Sequence, residues 1–192
     1  METANQLEDG DVVLAGSIDN IGYGPIPRAS FTAMTGVEGS GDISAHIGTT
    51  LFTANIGLGA RYYLTERVNL SLQGDASAVL IGIPVSPHNP RERVIVTAVP
   101  RVTTATKEGE FFYGGVQANV LTGFESENTE LVGALGGVVL GLDFGSRVDG
   151  GGIQGELVLY PLQYRDGKTT FFADLNESQV VVFQFSFGGY WW

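Results

Sequence analysis

Between residues 52 and 80 the chain alternates apolar and polar residues with a period of two, and does so twice. Phe52, Ala54, Ile56, Leu58, Ala60, Tyr62 and Leu64 share one parity. Thr53, Asn55, Gly57, Gly59, Arg61 and Tyr63 share the other. After Thr65-Glu66-Arg67 the pattern resumes, with Val68, Leu70, Leu72, Gly74, Ala76, Ala78 and Leu80 set against Asn69, Ser71, Gln73, Asp75 and Ser77. Successive side chains of a β-strand point to opposite faces, so the pattern predicts two strands with one apolar face each. Each run, 52–64 and 68–80, is about twice the length of a usual strand.

The same period recurs along the chain, and no segment carries the i, i+3, i+4, i+7 spacing of an amphipathic helix. Ten strands are predicted, at 11–20, 29–37, 42–49, 51–64, 68–82, 94–106, 110–122, 130–144, 152–164 and 178–191. The connections alternate in character. Short ones fall at 38–41, 65–67, 107–109 and 145–151. Longer ones fall at 21–28, 83–93, 123–129 and 165–177, with a tight one near Thr50. One end of an antiparallel meander is therefore trimmed and the other elaborated. Residues 1–10 are expected to be a flexible acidic lead-in, and 11–192 a single barrel domain.

Alternation alone does not say which face meets solvent. A soluble antiparallel barrel turns its apolar face inward, and a membrane barrel turns it outward. Three features favour the second. Most predicted strands reach the 9–11 residues needed to cross a bilayer at a tilt. The polar face carries Gly, Ser, Thr, Asn and Gln rather than rows of Lys and Glu, a palette suited to a crowded lumen. The C-terminal run VVVFQFSFGGYWW would be an aggregation hazard in water, and suits a lipid-facing strand ending in interfacial aromatics. Closure follows from the solvent, because hydrocarbon offers no partner to the backbone of a free sheet edge.

That terminal run, with GLGARYYL at 57–64 and GGVVLGLDFG at 136–145, resembles the strands of small Gram-negative outer-membrane β-barrels. The resemblance is architectural, spans nearly the whole chain and singles out no subfamily. It implies an all-β, closed, up-and-down antiparallel transmembrane barrel of about ten strands, with eight as the alternative. It implies the bacterial outer membrane as location, with both termini and the short turns on the periplasmic side. It also implies recognition of the last strand by the barrel-assembly machinery, through Phe183, Phe185, Phe187, Tyr190 and Trp192. The pair Gly188-Gly189 departs from the pattern and suggests a bulge. Pro100 and Pro161 also strain the scheme, since each removes a ladder donor.

Composition narrows the partners. A net charge of −11 argues against nucleic acid, whose phosphates call for Lys and Arg. With no Cys and two isolated His, neither a disulfide nor a zinc spacing is present. No signal-peptide pattern opens the chain, and an exported protein would have lost its leader before this numbering. No cofactor is implied.

Arg61, Asp75, Arg101 and Glu156 fall on the inward parity and are expected to form a lumen charge network, either a space-filling plug or a selectivity device. Arg28, Arg91, Arg93, Arg165 and Lys168 fall in or beside the long loops, where lipopolysaccharide phosphates would meet them. Ser44 and His46 share a strand face, as in some outer-membrane hydrolases, but no carboxylate orients the His. His88 is a lone loop residue. Gly150, Gly152 and Gly155 fit G-x-G-x-x-G, but a strand rather than a helix follows, which makes the motif a turn. The expected function is that of a non-enzymatic outer-membrane barrel with a filled lumen, in a structural, surface-interaction or accessory role. Its partners would be membrane lipid and lipopolysaccharide, with a protein partner at the outer loops as a further option. The alternatives are a narrow pore for small solutes or ions, and a soluble lipocalin-like ligand-binding barrel.

Overall fold

The computed structural model describes residues 3–20, 27–38, 40–50, 53–79, 94–106, 110–125, 128–146, 149–165, 168–171 and 182–192. The strands are β1 (Val12–Asn20), β2 (Pro27–Val37), β3 (Gly41–Thr49), β4 (Thr53–Thr65), β5 (Val68–Val79), β6 (Val94–Thr104), β7 (Phe112–Glu125), β8 (Asn128–Ser146), β9 (Gly151–Arg165), β10 (Lys168–Phe171) and β11 (Val182–Trp191). From β1 to β9 each pairs antiparallel with the next, β9 also pairs with β11, and β11 pairs with β1. The ring is closed by ten strands, as the ten predicted runs require. The short β10 extends the tenth position above β11 by pairing with the far end of β9, from Phe171 opposite Leu162 to Lys168 opposite Arg165. Among the described residues there is no helix.

Inside and outside follow the predicted parity. Ile56, Leu58 and Phe112 point out of the barrel and are 63 %, 69 % and 78 % exposed. Asp42, Arg61, Asp75, Asp143 and Glu156 point in and are buried. Among the strand side chains that are described, no Asp, Glu, Lys or Arg lies on the outward face.

Two predicted loops contain strand. At 123–129, β7 runs to Glu125 and β8 starts at Asn128, paired to each other. At 165–177, β9 reaches Arg165 and β10 starts at Lys168. Backbone pairing needs no apolar side chain, so polar hairpin tips were legible only as loops. The loop 83–93, with Arg91, Arg93 and His88, lies outside the described residues, as do 21–26.

The two prolines are absorbed in different ways. Pro100 pairs with Leu72 on β5, but the ladder to β7 passes from Ala98 opposite Val120 directly to Arg101 opposite Gln117. Both missing pairs depend on an N–H at residue 100, which proline lacks. Pro161 sits at a bulge, where β8 pairing shifts register between Gly136 and Val138. Directly beside it the opposite flank passes from β11 to β10. The glycine pair Gly188-Gly189, by contrast, makes no bulge, because β11 stays in register with β9 through both residues. Gly150, with φ of +72°, occupies the turn before β9.

The acidic lead-in does not hang free of the barrel. Residues 3–8 enter the lumen at the short-turn end, where Thr3, Ala4 and Leu7 are buried. Composition showed the three carboxylates of residues 1–10. It did not show that a short segment without strand or helix has enough backbone donors and acceptors to meet a polar lumen.

Candidate functional site

The lumen is organised in rows that run across neighbouring strands, and glycine leaves gaps in those rows. His46 on β3 pairs with Gly57 on β4, and Gly57 pairs with Asp75 on β5. With no side chain at 57, the imidazole Nε2 reaches over the strand and contacts the Asp75 carboxylate. A β-carbon at 57 would collide with both groups. Gln73 Nε2 donates to the same carboxylate at 3.1 Å.

The pattern repeats on the other wall. Tyr113 on β7, Gly141 on β8 and Glu156 on β9 form one row. The Tyr113 hydroxyl donates to Glu156 Oε2 at 2.8 Å and accepts from Gln154 Nε2 at 2.5 Å. Arg101 closes on the same carboxylate with two hydrogen bonds, one of 3.0 Å to Oε1 and one to Oε2. Further from the short-turn end, the ring of Tyr160 lies against Gly137. Its hydroxyl accepts from Gln117 at 2.6 Å and Asn119 at 2.8 Å, and donates to Gln184 at 2.8 Å.

At the short-turn mouth the N-terminal segment is the centre of the network. Arg61 Nη1 donates to the Thr3 carbonyl at 2.5 Å, and Nη2 to the Asn5 carbonyl at 3.0 Å. The same guanidinium pairs with Asp42 through Nε at 2.7 Å and stands 5.4 Å from the Tyr63 ring centroid. Across the lumen, the Ala4 N–H donates to Asp143 Oδ2 at 3.1 Å, while the Tyr190 hydroxyl donates to Oδ1 at 2.7 Å. The Leu7 side chain packs with Val13, Ala15, Met34 and Tyr190, against which Trp192 also rests.

All four residues predicted for the lumen network face inward, and each has a partner there. Arg61 pairs with Asp42, Asp75 with His46, and Arg101 with Glu156. Arg28, expected at the outer rim, turns in and forms a two-point contact with the buried Asp19, at 2.8 and 3.1 Å. Arg165 and Lys168 are backbone partners across the β9–β10 hairpin. In the terminal strand, Phe183, Phe185 and Phe187 point outward as expected, and Tyr190 does not. Its parity is opposite to theirs, so it enters the lumen, and Trp191 takes the outward position. Trp192 is half-buried beside the inner cluster.

Sequence reasoning passed over Asp42, Tyr113, Asp143 and Tyr160. Their signal was available in the inward glycines, since Gly137, Gly141 and Gly145 sit on one parity of β8 and leave room for Tyr160, Tyr113 and Tyr190 respectively. Asp75 also supplies the carboxylate that had not been assigned to His46, yet no hydrogen bond joins Ser44 to His46. Nucleophilic catalysis needs that contact. Among the described residues, no group of three or more His, Asp or Glu is arranged to hold a metal ion. Among the described residues, Arg61 with Asp42, Asp75 with His46 and Arg101 with Glu156 are paired within the protein.

No known protein-family model matches the chain, and no curated protein matches it in sequence.

Proposed function

We propose that the protein is an integral outer-membrane β-barrel of a Gram-negative bacterium, without catalytic activity, serving a structural, surface-interaction or accessory role. One observation carries this reading, the inversion of the barrel. Large apolar side chains cover the outside, including Ile18, Ile47, Leu72, Leu140 and Phe185, while the paired ions are inside. In water, a continuous apolar belt of this size would drive association, since soluble monomers rarely expose apolar patches beyond a few hundred Å². In a bilayer it meets acyl chains, and the closed ladder leaves no sheet edge unpaired. The same inversion weighs against the lipocalin-like alternative, in which Ile56, Leu58, Leu70 and Phe185 would line the interior.

The short-turn end, with both chain termini, would then face the periplasm, and the longer connections the exterior. Tyr62, Phe112, Phe144 and Trp191 form exposed aromatics near the short-turn end, where a headgroup girdle belongs. Lipopolysaccharide contact would fall to Arg91, Arg93, Arg165 and Lys168, with Arg28 engaged inside. Recognition by the assembly machinery would use the outward row Phe183, Phe185, Phe187 and Trp191.

Membrane extraction tests the reading. The protein should sediment with outer membranes, require detergent for solubility, and migrate differently on a gel before and after boiling. A monodisperse protein in detergent-free buffer would overturn it.

A further inference from the structure

We propose that the short-turn mouth of the lumen is a peptide-binding site, and that residues 3–8 occupy it as an exchangeable ligand carried by the chain itself. Membrane placement does not enter this inference, which rests on the cleft alone.

The cleft reads backbone. The Thr3 and Asn5 carbonyls accept from Arg61, the Ala4 carbonyl accepts from the Thr106 N–H at 3.3 Å, and the Ala4 N–H donates to Asp143. The Leu7 N–H donates to the Tyr63 hydroxyl at 2.6 Å. These contacts recognise a backbone bent at Ala4 and Asn5, whatever its side chains. Selectivity comes from two places. Asn5 bridges Tyr190 and Thr106, at 3.1 Å each. Leu7 fills the apolar pocket of Val13, Ala15, Met34 and Tyr190. The ligand class is therefore a short peptide that bends near its start, with small polar residues and one aliphatic anchor.

The attachment to β1 suits release. Beyond Leu7 the chain makes a tight exposed turn, in which Asp11 N–H donates to the Glu8 carbonyl at 3.1 Å and Gly10 has φ of +79°. Glycine adopts that conformation without strain, so the turn can act as a hinge. An empty cleft would take the Thr3 and Asn5 carbonyls from Arg61 and the Ala4 N–H from Asp143, and losing hydrogen bonds to buried charged groups is costly. Exchange of one backbone for another avoids that cost, and so the site favours replacement over vacancy.

The test uses the chain lacking residues 2–8, refolded in detergent and checked for β-structure by circular dichroism, in a Trp191→Phe background. Trp192 is then the reporter, because it rests against the Leu7 pocket. The synthetic peptide of residues 2–9, ETANQLED, should bind saturably at one per barrel and shift the Trp192 emission. The Leu7→Asp peptide should bind at least ten-fold more weakly. Absence of saturable binding to the folded barrel, or equal binding of the two peptides, would overturn the proposal. If the shortened chain does not fold, a protease site inserted after Asp9 in the full chain allows cleavage after folding. Excess free peptide should then replace the cut segment within hours, read by mass spectrometry. Retention of the original segment would refute exchange.

Discussion

The Tyr113 hydroxyl donates to Glu156 at 2.8 Å across a strand to which neither residue belongs. The contact exists because the intervening position, Gly141, has no side chain, and the ring of Tyr113 lies over it. A methyl group at 141 would push the ring off and break its bonds to Glu156 and Gln154. Gly141→Ala should therefore destabilise the barrel by about 2 kcal/mol. Gly16 faces outward with nothing near the site of its missing β-carbon. Gly16→Ala should leave the urea midpoint in micelles unchanged or slightly raised. Equal midpoints for the two variants would refute the gap argument.

The Arg101–Glu156 pair should behave as a buried ion pair does. Removing one partner strands the other charge in the lumen, so Arg101→Met is expected to cost about 3 kcal/mol. The double variant Arg101→Met, Glu156→Leu should recover most of that loss. Denaturant titration of the four proteins in one detergent gives the coupling directly.

Leu58 stands on the outward face near the middle of β4, opposite Gly74 on β5. In a bilayer, Leu58→Arg should cost about 2–4 kcal/mol. At a water-exposed site the same change should be within about 0.5 kcal/mol of neutral. Equilibrium folding into lipid vesicles separates the two outcomes, and a neutral result would count against lipid contact.

Pro100 leaves a gap in the β6–β7 ladder between Ala98 and Arg101. Valine there would restore an N–H directed at β7. Pro100→Val should stabilise by about 1 kcal/mol, the net worth of one backbone hydrogen bond. Hydrogen exchange of the new amide, read by NMR, should show it protected. Rapid exchange would mean that the ladder stays open.

Conductance checks the lumen. Wild-type protein inserted in planar bilayers should be silent, because side chains and the N-terminal segment occupy the interior. The variant Asp75→Ala should stay silent too, since Asp75 is paired along the wall with His46. Discrete wild-type openings altered by Asp75→Ala would favour the narrow-pore reading instead.

Period-two alternation by itself determined which side chains share a face, and with it an antiparallel meander of about ten strands. It did so because a strand has only two directions in which to point a side chain, so Ile56 and Arg61 are separated by parity alone. Parity also decided against Tyr190 as a member of the outward aromatic row. Only the tertiary structure decided which inward groups meet. Ala4 and Asp143 are 139 positions apart, and Arg101 and Glu156 are 55 apart. Those meetings depend on the stagger of strands around the ring and on where glycine leaves a gap between neighbours. The lead-in was decided the same way, because a segment with little hydrophobic pattern of its own takes its place from the backbone partners that the closed lumen presents.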